Sequence, residues 1–318
     1  MRRIALTALV AALAAMASLA GWAARFPDVA AFDASETLVA VGLNSAREGS
    51  TLAIYDAGTG AHVVQVALPD RTTHLFFCSS RVLMVSTVGA VLRIDPRSGA
   101  QETVMLLNRS ESAAVAPACD SIAVYGPDRK DVTVMFFGSK RKVPFEAPEG
   151  TWAACYAGDE SALMMLAASG ALAEADLKKR KRIPLPGAGA DTRGLACTGR
   201  RGVVLGGDQG ALIRSAAGAS QGSRIPVPCL LEFHACAVST DGRTLASITD
   251  DGGQPAKVVR FHSTSRLKGL AAVELPAPGV SLGLSSSGAS AVVTFDGADP
   301  VLVSRANGSL LRLPLPAP

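Results

Sequence analysis

The chain has 318 residues, a formal net charge of +4, an apolar fraction of 48% and only 5% aromatic residues. That length admits one or two domains, and a single all-β ring or sandwich can occupy nearly all of it. With Arg2 and Arg3 set aside, 29 basic residues face 27 acidic ones, which excludes a globally basic chain and makes any basic patch local.

In chain order, the sequence opens MRRIALTALVAALAAMASLAGWAA. Arg2 and Arg3 form a positive n-region, residues 4–17 an uncharged apolar stretch, and Ser18 and Ala20 a small-residue cleavage site. A secretory leader is therefore expected over residues 1–20, then a short segment over 21–26. The alternative is an uncleaved N-terminal membrane anchor, which the Ala-dominated composition makes a weak inserter. Export places the mature chain in the periplasm or outside the cell, where cysteines become disulfide candidates. Nucleic acid is scarce there, and none is expected as a partner.

From residue 27 to 316 the sequence repeats with a period of about forty residues. The unit is seen first in LVAVGLNSAREGSTLAIYDAGTGAHVVQVALP, residues 38–69: an apolar run, a polar turn, an alternating strand ending in Asp, a short turn, and a second alternating strand. Equivalent units start at residues 81, 122, 162, 203, 244 and 291, and of the seven all but the one at 81 run out into Pro. A further short apolar strand precedes most of them, giving four strands per unit; Asn307-Gly308 is a two-residue hairpin signal. Seven four-stranded antiparallel units imply an all-β fold, a single seven-bladed β-propeller. The last blade must meet the first, which puts residues 29–32 beside the strand around Leu282.

The segments LAIYDAGTG, LRIDPRSG and VSTDGRTLAS resemble those of bacterial WD-repeat-like and YVTN-type seven-bladed propellers. The resemblance covers almost the whole mature chain and implies the fold, not an activity. There is no Trp-Asp pair and no literal YVTN, and Trp152 is the one tryptophan within the repeats. Some YVTN-type relatives imply an alternative, a lactonase-like hydrolase with its site in the central channel.

Aligned on the first unit, KKRKR (Lys178, Lys179, Arg180, Lys181, Arg182) falls at the turn between the third and fourth strands of blade four. Lys140, Arg141 and Lys142 occupy the same turn of blade three, and Arg200 and Arg201 the first turn of blade five. These turns share one face, so a basic sector is expected there, suited to an acidic envelope protein or an anionic surface. On the opposite face, Asp208, Asp250, Asp251, Asp296 and Asp299 sit in Gly-rich loops of blades five to seven. Such loops suit a cation or polar ligand as well as ordinary tight turns.

Catalytic or metal-binding spacing is missing. His62, His74, His234 and His262 fall in different blades or strand positions and read as surface or satisfied loop residues; no HExxH or CxxC occurs. Ser220 lies in GASQG, which matches GxSxG, but in a turn between strands rather than a strand-to-helix elbow. Cys78, Cys119, Cys155, Cys197 and Cys236 recur with the blade period, near the ends of the first strands; they are either packed small hydrophobes or disulfide partners, and six cysteines allow 15 pairings that the sequence leaves open. Cys229 breaks the period and is the expected partner of Cys236, closing a short loop. These features favour a monomeric, non-catalytic interaction scaffold of the cell envelope without cofactor or metal over a propeller-type enzyme.

Overall fold

The computed structural model describes residues 28–315 except 45–49, 80, 190–191, 199–201, 208–209, 216–222, 227, 230, 232–233 and 250–254. These residues form 28 strands in seven four-stranded sheets. Blade one comprises β1 (Val29–Phe32), β2 (Leu38–Asn44), β3 (Ser50–Asp56) and β4 (His62–Leu68). Blade two comprises β5 (Thr72–Ser79), β6 (Val82–Thr87), β7 (Ala90–Ile94) and β8 (Gln101–Leu106). Blade three follows with β9 (Ser112–Val115), β10 (Ser121–Tyr125), β11 (Asp131–Phe136) and β12 (Arg141–Glu146). Blade four has β13 (Thr151–Tyr156), β14 (Ala162–Ala167), β15 (Leu172–Asp176) and β16 (Lys181–Leu185). Blade five has β17 (Thr192–Thr198), β18 (Gly202–Gly207), β19 (Ala211–Ser215) and β20 (Ser223–Ile225). Blade six has β21 (Cys236–Val238), β22 (Thr244–Thr249), β23 (Pro255–Ser263) and β24 (Lys268–Glu274). Blade seven closes the set with β25 (Ser281–Leu284), β26 (Ser290–Phe295), β27 (Ala298–Ser304) and β28 (Leu310–Arg312). No helix among the described residues is long and apolar enough to cross a membrane.

Each sheet takes its strands in chain order from the axis outward. The sequence pattern explains the layering. The second strands are near-continuous apolar runs, such as ALMMLA in β14, and are buried on both faces because neighbouring blades cover them. The outermost strands alternate, as RKVPFE does in β12, with one side toward the next blade and the other toward solvent.

Among the described residues every seam between blades carries its own apolar cluster. The closing seam packs Phe32, Val39, Val41, Ala53 and Tyr55 of blade one against Val292, Leu302 and Leu313. The Tyr55 hydroxyl donates to the Pro314 carbonyl (3.2 Å), and the Ser287 amide donates to Glu36 (2.6 Å). No strand is exchanged between first and last blades. As expected, β1 lies against β25, so closely that a Cβ on Gly283 would come within 2.5 Å of the Ala30 carbonyl oxygen. Gly283→Val should therefore wedge the seam open and lower stability by about 1–3 kcal/mol, the range for overpacking. A denaturant midpoint equal to the parent's would show that the seam tolerates the extra bulk.

Candidate functional site

The third-to-fourth-strand turns share one build. Asp56 accepts from the amides of Gly58 (3.1 Å) and Thr59 (2.8 Å), and Asp95 from those of Arg97 (2.8 Å) and Ser98 (3.0 Å). Asp176 does the same for Lys178 (3.1 Å) and Lys179 (2.8 Å). The Lys179 amide is the main reason the Asp176 carboxyl is held below the usual range. Each such turn among the described residues closes on a residue in the left-handed region: Gly60 (φ 71°), Gly99 (φ 73°) and Gly308 (φ 68°) in three blades. Blades three, four and six place Lys140 (φ 52°), Arg180 (φ 54°) and Leu267 (φ 54°) there instead, a conformation that disfavours a side chain.

The basic tips of blades three and four thus occupy equivalent positions on one face. Lys140, Arg141, Lys142, Lys178, Lys179, Arg180 and Lys181 are exposed. Arg141 lies over the Phe136 ring (4.8 Å), and Lys179 approaches Asp176 (3.5 Å). Arg182 departs from the expected solvated tip: it is half-buried and its Nη1 pairs with Glu146 of blade three (2.8 Å), an ion pair across the seam. Arg200 and Arg201 lie outside the described residues.

Of the acidic loop residues, Asp208, Asp250 and Asp251 also lie outside the described residues, as does Ser220. Asp296 is exposed at the β26–β27 turn. Asp299 has both oxygens in use, one with Arg312 and one accepting from the Leu315 amide (2.9 Å). Nearby, Asp28 is pushed up to about 6, chiefly by burial and further by the Asp296 charge, against the lowering effect of the Asn44 amide (2.8 Å). Among the described residues no three His, Cys, Asp or Glu side chains converge as a metal site.

The cysteines correct part of the sequence reading. Cys229 and Cys236 are bonded as expected (Cα–Cα 5.0 Å). Cys78 bonds Cys119 (Cα–Cα 5.5 Å) and Cys155 bonds Cys197 (Cα–Cα 5.7 Å), so they are not merely packed small hydrophobes. The inner strands crowd together near the axis, and residues one blade apart in sequence come side by side. Cys119 also lies in the turn after β9 rather than in the strand, and Cys236 begins its strand.

The second correction concerns the histidines. His62 is exposed on β4, edge-on to Tyr55 (5.7 Å), and His262 is half-buried on β23. His74 and His234, far apart in sequence, meet edge to face across the axis with ring centroids 5.7 Å apart. They line a cavity of about 240 Å³ in the central channel with Val29, Ser112, Trp152, Leu195 and Leu231, drawn from the inner edges of six blades. His234 sits at φ 53°, held by its amide donating to the Leu231 carbonyl (3.1 Å) and its carbonyl accepting from Leu282 (2.6 Å). Burial holds both imidazoles neutral, His74 near 3 with its neighbour's charge adding to the effect, and His234 near 4, partly offset by the Thr73 backbone. Sequence spacing hides such a pair, because only ring closure brings blade two opposite blade six.

No family model and no curated protein matches this chain. Solved structures do. The β-propeller domain of Myceliophteria thermophila Cps50 (Swd1) superposes with a TM-score of 0.64 at 14% identity, over 83% of this chain and 91% of that one. Kuenenia stuttgartiensis hydrazine synthase does so with a TM-score of 0.64 at 11% identity, over 91% and 95%. The fold is that of a seven-bladed β-propeller. At such identities the likeness extends to architecture alone.

Proposed function

We propose that this chain is an exported, non-catalytic propeller scaffold that captures an acidic envelope protein or an anionic surface through the basic sector of blades three and four. The observation that carries this is the pair of neighbouring turns presenting seven exposed cationic side chains on one face. Two of them, Lys140 and Arg180, stand at the left-handed turn position that glycine occupies in blades one, two and seven. On a chain of near-balanced charge, such a cluster makes a local field that steers an oppositely charged partner. The three disulfides suit an oxidising compartment, in keeping with the leader over residues 1–20 and a propeller over 27–316. The cavity's described lining offers neither a carboxylate to orient its histidines nor a cation, so it does not favour the hydrolase alternative.

Charge reversal at Lys178, Lys179 and Lys181 tests the sector. Arg182 is left intact because a carboxylate there would face Glu146 across the seam. The variant should melt like the parent but lose at least tenfold in binding to phosphatidylglycerol vesicles at low salt, or lose an acidic partner in crosslinking from envelope extracts. Arg180→Gly and Lys140→Gly remove charge while relaxing the turns. Equal binding by parent and all variants at low salt would reduce these tips to solvated turns.

A further inference from the structure

We propose that the central channel, between Trp152, His74 and His234, binds a neutral, flat organic molecule of about two fused rings that carries one hydrogen-bond donor. Three independent observations define the ligand. The first is size. A cavity of about 150 Å³ accepts benzene, so the 240 Å³ here leaves room for a second fused ring.

The second is charge. No Lys, Arg, Asp or Glu stands among the described lining residues, and the two imidazoles pack edge to face against each other. An ionic ligand would enter without a counter-charge, at a large desolvation cost. The third is unspent hydrogen-bonding capacity. His74 Nδ1 is buried with no partner among the described residues and can accept from a ligand's donor. Buried polar atoms in native proteins are nearly always satisfied, so an orphan imidazole nitrogen in a cavity wall points to a group that arrives from outside. Trp152 supplies a partly exposed aromatic face, and Val29, Leu195 and Leu231 supply apolar walls. The left-handed backbone of His234 is a local strain of the kind that clusters at ligand sites.

The test is calorimetric titration of the whole protein at neutral pH with indole, 1-methylindole and indole-3-carboxylate. Indole should bind with Kd in the range of about 0.1–1 mM, typical of a small rigid probe with few heavy atoms. Its N-methylated analogue should bind about five- to tenfold more weakly, the loss of one hydrogen bond. The carboxylate should not bind. His74→Phe keeps the ring and removes the nitrogen, so it should bring indole down to the affinity of 1-methylindole and leave the latter unchanged. Trp152→Leu should weaken both, and it carries the test alone if His74→Phe does not fold. The proposal is overturned if indole and its methylated analogue bind equally, if neither gives heat at millimolar concentration, or if the carboxylate binds best. It is overturned in favour of a metal site if zinc chloride raises the melting temperature of the parent and not that of His234→Phe.

Discussion

Removing the bond between Cys155 and Cys197 is expected to lower the melting temperature by roughly 10 °C while leaving the seven-bladed fold intact. The bond spans 42 positions and joins the innermost strands of blades four and five. By loop-closure entropy a crosslink of that span stabilises by about 4 kcal/mol, and in a domain of this size each kcal/mol moves the melting point by about 2–4 °C. Cys78–Cys119, spanning 41 positions between blades two and three, should behave alike. Cys229–Cys236 spans only 7 positions and should be worth about 2.5 kcal/mol. The order of effects matters more than their size, since it separates bonds that tie blade to blade from one that closes a local loop. Paired Cys→Ala variants, melted with and without reductant, give that order directly. Reductant should lower the parent's melting point by more than any single pair does. Linked peptides 78–119 and 155–197 should appear in a non-reducing digest, and free thiols at those positions would remove the staples from the account.

The repeat made the architecture legible. Apolar second strands recur in every unit, Asp opens the turn before the last strand in blades one, two and four, and all outer strands but that of blade two run out into Pro; each reflects a local demand of one blade. Even the place of KKRKR could be read, because a turn position depends only on the strands beside it. What stayed hidden depends on closure. Cys155 and Cys197 are one period apart, and the sequence shows the period, but the pairing follows only when neighbouring inner strands are known to crowd near the axis. His74 and His234 sit at unlike points of their repeats, one inside β5 and the other in the turn before β21, so no alignment of units puts them together. Arg182 looked like its lysine neighbours; only the approach of blade three at Glu146 distinguishes it. Local chemistry was readable from sequence, whereas contacts across the axis and the seams were not.

Acidification from pH 6.5 to 4.5 is expected to cost this protein about 3 kcal/mol of stability, with the channel histidines as the main cause. Burial lowers His74 to about 3 and His234 to about 4, from an ordinary value of 6.5. The unfolded chain therefore takes up protons at both sites as the pH falls below 6.5, while the folded chain resists until near 4 and then 3. A depressed folded-state value means that the stability is full above 6.5 and is lost on the acid side. At about 1.4 kcal/mol per unit, two groups over two pH units give a loss of about 5 kcal/mol. Asp28 works in the opposite sense. Its carboxyl is raised from 3.8 to about 6, so its burial favours the protonated form and its contribution is lost as pH rises through 6. Between pH 6 and 4.5 it returns about 2 kcal/mol, which leaves the net loss near 3. His262, lowered mainly by burial and then by Arg260, adds to the histidine side. Two variants separate the contributions. Asp28→Asn keeps an oxygen for the Asn44 amide, and should raise stability above pH 7 and steepen the acid loss. His74→Phe should flatten the profile by about half, because it removes one titrating ring and relieves its neighbour of a like charge. Urea denaturation at half-unit steps of pH reads both slopes, and a parent profile level from pH 7 to 4.5 would mean that the two imidazoles are not desolvated in the channel.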